Sequence, residues 1–330
     1  MRTNTNHPEA VTLVSDAMSD LDHYKQSREL ERLISANDKL EKAISLDPKC
    51  MRFLFYGAMV NDLVGKAKDA AEKLEKLLRQ NPPSADEVEY NLGVAYYHRY
   101  SHKWLEKADA HFRAVIDKSE NTCLKLLAHA GLAQTHAMWI IQRDPKNPDE
   151  RAALEHFSRS EEECNLVSAE IQDAEDLDEA IRSEIKWTIF NARGMSLMYY
   201  TDYFENQEEK IRKLGEALKS LTEADRYSPK NWANYCDLGS VNMRLGYWRG
   251  LESDFQMALQ YLREVVTKLR PNYGFAMYEI GRVFRLIGEF EEAINWFDAA
   301  LQIDPDYRDV GNDTVNREKD RAARGGRDFP

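Results

Sequence analysis

The sequence predicts an all-α protein, an α-solenoid of about six to seven antiparallel helix pairs with irregular, long middle repeats. Three observations lead there. Only 15 Gly and 10 Pro are spread over 330 residues, too few turn formers for a sandwich or barrel, which needs a turn signal every few residues. A short helical motif recurs along the chain, and prolines fall at a fixed place behind it. The length would suit either two ordinary domains or one elongated array, and the recurrence favours the array.

The motif is clearest near the end, in Gly274 to Tyr307. Ala293, Phe297 and Ala300 stand at i, i+4 and i+7, one stripe of a helix that Pro305 stops. Gly281 leaves room for that helix to pack closely, and Gly288 takes the turn between the two. The same spacing returns in Ala36, Leu40, Ala43 and Pro48, in Ala70, Leu74, Leu77 and Pro82, and in Ala217, Leu221, Ala224 and Pro229. Looser copies are Ala108-Phe112-Val115, Ala153-Phe157-Ser160, and Ala258-Leu262-Val265 with Pro271. Ahead of each stripe a small residue marks a first helix: Gly57 or Ala58, Gly93, Gly131, Gly194, Gly239 and Gly281.

These residues resemble the tetratricopeptide repeat family over roughly residues 17 to 307. The resemblance implies a right-handed superhelix whose first helices line a concave surface that usually holds peptides. Family members that bind chaperone C-termini use a Lys and Asn carboxylate clamp. Here the clamp positions hold Phe55, Met59, Tyr90 and Val94, so a partner of that kind is not expected.

The intervals depart from the family. Ala36 to Ala70 is 34 residues and Ala258 to Ala293 is 35, but Ala108 to Ala153 is 45 and Ala153 to Ala217 is 64. The first insertion is the polar turn Gln142 to Pro148, after which Asp149 or Asn147 would cap a helix. The largest reads as two over-long helices projecting beyond the stack and joined near Asp173 to Asp178. Tyr199 to Gln207 reads as an irregular aromatic stretch, and Trp248 to Gln256 as an ordered turn. Residues 1–16 read as an N-terminal lead and cap, 17–307 as the array, and 308–330 as a capping segment whose end, beyond Ala323, is disordered.

The net charge of −12 argues against general nucleic-acid binding, which demands a basic face. Most of that charge sits between Ser160 and Glu184, where ten acids face one base, Arg182. The segment reads as a solvated helical face or, more sharply, as a docking surface for a basic partner. No apolar run is long enough to span a membrane, and the polar start lacks a secretory signal, so a cytoplasmic protein is expected. The four cysteines form no CxxC pair and read as free thiols.

Catalytic signals are missing: there is no Gly-rich phosphate loop, and the sequence around Ser196 lacks the second Gly of a nucleophile elbow. His98 and His102 lie four apart without a Cys or carboxylate at ligand spacing. Neither an enzyme, a cofactor nor a metal is expected. The expectation is a non-catalytic interaction scaffold or adaptor that binds a partner peptide in its groove.

Counted from the small-residue positions, the groove row takes Phe55, Met59, Asp62, Tyr90, Asn91, Tyr97, His98, His129, Thr135 and His136. It continues through Asn191, Met195, Met198, Tyr199, Asp237, Arg244, Tyr278, Arg282 and Arg285. Aromatic and Met groups offer adaptable area, Asn grips peptide backbone, and the three Arg would fork onto a partner's carboxylate. The alternatives are a regulatory sensor for a signalling peptide or small molecule and, through Arg244, Arg249, Arg263, Arg270, Arg282 and Arg285, an RNA-binding groove. Neither the oligomeric state nor the partner follows from the sequence.

Overall fold

The computed structural model describes residues 7–99, 102–141, 149–174, 177–271, 273–303 and 314–327. The turn at 142–148, the centre of the acidic junction at 175–176, and Pro305 lie outside the described residues. Those residues form fifteen α-helices and no strand. The chain is an all-α helical repeat, divided into two compact units, Met1–Thr135 and His136–Pro330.

The first unit contains α1 (Pro8–Ser27), α2 (Leu30–Leu46), α3 (Met51–Leu63), α4 (Ala67–Leu78), α5 (Ala85–Tyr97) and α6 (His102–Lys118). It also holds the start of α7 (Thr122–Ile141). Each odd helix packs on the even helix after it, from α1 on α2 to α5 on α6. No boundary falls at residue 16: Ala10, Val14, Ala17, Leu21 and Tyr24 form one buried stripe, so α1 is a full member of the first pair. Asp20 fastens it, accepting from Lys39 at 2.5 Å, Ser35 at 2.7 Å and Arg32 at 3.2 Å. Those bonds hold its carboxyl down at about 2.

The second unit continues with α8 (Glu150–Asp173), α9 (Glu179–Tyr200), α10 (Gln207–Tyr227), α11 (Trp232–Arg249) and α12 (Glu252–Glu264). It closes with α13 (Gly274–Ile287), α14 (Phe290–Ile303) and α15 (Thr314–Ala323). The long middle interval is filled by helix: α8 has 24 residues and α9 has 22, against 13 and 12 in α3 and α4. Asp149 caps α8 by accepting from Ala152 N, and Asp178 caps α9 by accepting from Ala180 N. Arg182 reaches back from α9 to the carbonyls of Ile171 and Ala174, satisfying groups at the end of α8.

Tyr199 and Tyr200 finish α9 in helical form, and only then does a 3-10 turn, Thr201–Tyr203, intervene. The stretch is therefore more regular than its composition suggests. After α12 a π-helical turn, Val265–Leu269, takes up an extra residue through the bond from Arg270 N to Val265 O. Gly288 ends α13 in the left-handed region, φ 94°, where a side chain would be strained.

Packing within the pairs is set by close approach. A Cβ on Gly194 would lie 2.5 Å from Leu221, one on Gly239 2.5 Å from Leu262, and one on Gly281 2.6 Å from Phe297. In the first unit Phe112 occupies the space over both Gly93 and Gly131, each at 2.6 Å. In these four pairs the middle residue of the second-helix stripe fills the hole left by a first-helix glycine. Gly57 differs, since its space faces Ile44 of α2.

Residues 314–327 close the second unit. α15 lies against α13 and α14, with Val315 and Ala322 buried. Residues 324–327 are not the loose end that their composition suggests. Gly325 N donates to Ala322 O, Gly326 N to Arg321 O, and Gly326 O accepts from Arg285. That last bond holds the turn against a buried guanidinium.

Gly281→Val should overpack the α13–α14 contact and lower stability by about 1–3 kcal/mol, read as a fall in the urea midpoint. Adding Phe297→Ala should recover part of the loss, and equal loss in both variants would refute the fit.

Candidate functional site: a buried polar row on the first helices

The expected site residues fall into two sets, one in each unit. In the first unit they stay largely separate. Phe55 is buried against its neighbour Tyr56, and Met59 is exposed. Tyr90 lies half-buried over the Phe112 ring, and Asn91 donates to Glu87 O within its own helix. Tyr97 is buried beside His98, whose Nδ1 meets the Asp62 carboxylate at 2.8 Å. That carboxylate arrives from α3, where Asp62 belongs to the same expected row as Met59. His129 is half-buried on α7. Among the described residues no group of three or more His, Cys, Asp or Glu is placed to hold a metal ion.

Sequence reasoning missed the main polar network of this unit. Asn61 on α3 donates to Asn37 at 2.7 Å and to Glu41 at 2.9 Å, both on α2, while Lys73 of α4 reaches Asn61 and Glu41. Asn61 stands four residues after Gly57, a spacing that would have marked it.

In the second unit His136, 1 % exposed, stacks with His156 and Trp139. The rest of the expected set converges on α9, α11 and α13, which neighbour one another. Met195 stands one turn from Asn191 on α9 and is buried. Asn191 donates to Asp237 at 2.9 Å and to Asn234 at 3.3 Å; Asn234 in turn donates to the Leu221 carbonyl on α10. Ser240 donates to Glu279 at 2.9 Å, and Arg282 donates to the other oxygen of Glu279 at 2.8 Å. Arg244 pairs with Asp202 and lies over the Tyr199 ring; Arg282 lies near the Tyr278 ring. Every one of these side chains except Asp202 belongs to a residue less than one-tenth exposed.

The three Arg expected to reach a partner's carboxylate are instead engaged inside the chain. Arg285 is fully buried; its Nε donates to Glu318 at 2.7 Å. Glu318 lies on α15, 33 residues away, so nothing local announced it. A guanidinium cannot be buried without such compensation, and removing one partner of a buried pair costs about 3–5 kcal/mol. Asn234, Ser240, Glu279, Glu318 and Asp202 were all missed from sequence. For Asn234 a signal existed, since it lies one turn ahead of Asp237 on the same face of α11.

Burial raises the Tyr199 hydroxyl above its ordinary range, and the Asp237 and Glu279 carboxylates add to that. Asp237 itself is pushed up to about 7 by burial, with Glu279 adding repulsion and the Asn191 bond opposing both.

Tetratricopeptide repeat family models match residues 64–120 and 274–307. The chain therefore carries tetratricopeptide repeats at those two stretches, one of which is the Gly274 to Tyr307 unit. No curated protein matches the sequence. Among solved structures, a thermophilic tetratricopeptide-repeat protein of Thermus thermophilus is 15% identical, covering 73% of this chain and 98% of that one, with a TM-score of 0.47. A tetratricopeptide-repeat protein of Parabacteroides merdae is 13% identical, covering 96% and 100%, also with a TM-score of 0.47. The TPR2AB domain of yeast Sti1, solved in complex with pHSP90, is 14% identical and covers 95% and 98%, with a TM-score of 0.31. The general class these repeats define is a protein-interaction scaffold, and such repeats are typically non-catalytic. No helix among the described residues is long and apolar enough to cross a membrane.

Asp237 gives this site a pH signature. Its folded value, about 7, exceeds the unfolded value of about 3.9. Between the two the folded chain holds a proton that the unfolded chain has released, so the contribution of Asp237 to stability falls as pH rises. Asp237→Asn should therefore be more stable than the parent at pH 8, by up to about 4 kcal/mol, and the two should converge near pH 4. Urea midpoints across that range would check it, and a difference independent of pH would refute the assignment.

Proposed function

We propose that the protein is an adaptor that holds a segment of a partner protein on the first-helix face of its second unit, along α9, α11 and α13. The observation that supports this reading is the polar row itself. The first unit buries the smaller network of Asn37 and Asn61, whereas these three helices bury Asn191, Asp237, Glu279 and Arg282 in one longer row flanked by Tyr199 and Tyr278. Polar groups at such positions cost stability unless they are satisfied, and amide and carboxylate groups are what recognises peptide backbone and side chains.

The RNA reading loses support from the same geometry. Arg244, Arg282 and Arg285 are paired with carboxylates of this chain, and Arg249 faces Asp254 at 3.5 Å. A phosphate backbone would meet guanidiniums that are already neutralised.

A photo-crosslinking benzoylphenylalanine in place of Tyr278 should trap a discrete partner in extract from the native source. The same residue in place of Leu154, exposed on α8, should not. Equal yields from the two positions, or none from Tyr278, would remove this face as the site.

A further inference from the structure

The charges of the second unit can be paired off. Among the described residues its row contains three buried carboxylates, Asp237, Glu279 and Glu318, with the half-buried Asp202, and three guanidiniums. Arg244 takes Asp202, Arg282 takes Glu279, and Arg285 takes Glu318, which Arg321 also reaches at 2.7 Å. Asp237 remains. Among the described residues it is bonded by the Asn191 amide and paired with no cation. It is 7 % exposed, buried but not completely sealed.

An ionised carboxylate at that depth is costly until a positive group joins it. Its neighbours are arranged for such a group and not for an anion. Asn191 and Asn234 of α9 and α11 place a bonded pair of neutral amides beside it, Glu279 of α13 adds negative potential, and the ring of Tyr199 lies within the field of both carboxylates. Outside the row the same unit carries the acidic helices α8 and α9, where Glu162, Glu170, Glu179 and Glu184 are exposed. A field of that sign draws cations and repels polyanions.

We infer that Asp237, with Asn191 and Asn234, is the seat for a lysine ammonium or arginine guanidinium of the partner segment. This rests on the first-helix face being the binding face and specifies the partner's chemistry as basic, the opposite of what three groove arginines would suggest. The Lys or Arg of a segment supplies the missing fourth cation, while the rest of the segment lies along α11 and α13. A free polyamine carries the same charged group, so the test separates the two sources.

The titratable and charged groups around the seat are Tyr199 on α9, Cys236 and Arg244 on α11, Glu279 with its partner Arg282 on α13, and Arg270 after the π-helical turn, whose charge acts on Cys236. Burial pushes the Tyr199 hydroxyl and the Cys236 thiol upward, so both stay neutral through the neutral range. Cation binding then tightens as Asp237 ionises.

The experiment uses the full chain and a fluorescein-labelled dodecapeptide of Lys-Ala-Ala repeats, followed by anisotropy. The peptide should bind, with affinity rising from about pH 6 to about pH 8. Asp237→Asn, which keeps the shape and can still accept from Asn191, should weaken it at least about tenfold and flatten the pH dependence. A dodecapeptide with Glu for Lys should not bind. Spermidine should compete weakly; displacement at concentrations matching the peptide would overturn a protein segment as the occupant. Unchanged affinity in Asp237→Asn, or tighter binding of the Glu peptide, would overturn the seat. Loss in a Glu161→Gln, Glu162→Gln, Glu163→Gln triple variant with none in Asp237→Asn would also overturn it, placing the cation on the outer helices. That result leaves the crosslink from Tyr278 intact, so failure of the seat is distinguishable from failure of the binding face.

Discussion

In four helix pairs a side chain of the second helix sits where the first helix has no side chain, and this contact sets how near the two backbones come. Leu221 over Gly194, Leu262 over Gly239 and Phe297 over Gly281 repeat it through the second unit, and Phe112 serves two glycines in the first. At such distances a methyl group on the glycine has nowhere to go, because interiors are packed near crystal density. The contact also fixes rotation. Once the glycine face of a first helix is turned toward its partner, the residues on another face must meet the neighbouring first helix. The polar row of α9, α11 and α13 is the consequence of that orientation.

The row carries a second constraint. Burying Arg285 against Glu318 fastens α15 onto α13, and Gly326 O adds a further bond to the same guanidinium. The terminal helix is thus held by charge as well as by Val315 and Ala322. Ion pairs at this depth contribute little net stability compared with apolar packing, but breaking one is expensive. Such contacts select one arrangement of α13 and α15 more than they strengthen it.

Much of the architecture was legible because its determinants are local. The Ala-Leu-Ala stripes, the glycines and the capping Asp149 each act within about two helical turns, so spacing reveals them. The first-helix rows were legible for the same reason, and Asn191, Tyr199, Arg244, Tyr278 and Arg282 do come together. What spacing could not supply was the partner of each charge. Asp202, Glu279 and Glu318 sit at positions that composition does not distinguish from the many solvated acids of this chain. The expected boundary at residue 16 instead falls inside α1, whose buried stripe runs unbroken from Ala10 to Tyr24.

That missing information reverses the sign of the surface proposed to meet the partner. Three arginines in a row look like a receptor for a carboxylate when their partners are unseen. With Asp202, Glu279 and Glu318 in place they are neutralised, and the charge left over belongs to Asp237. The exposed acids of α8 and α9 point the same way. The net charge of −12 is therefore more than an average over a solvated surface: part of it reaches the interior of the second unit. There a charge costs most when alone and discriminates most sharply between partners of opposite sign.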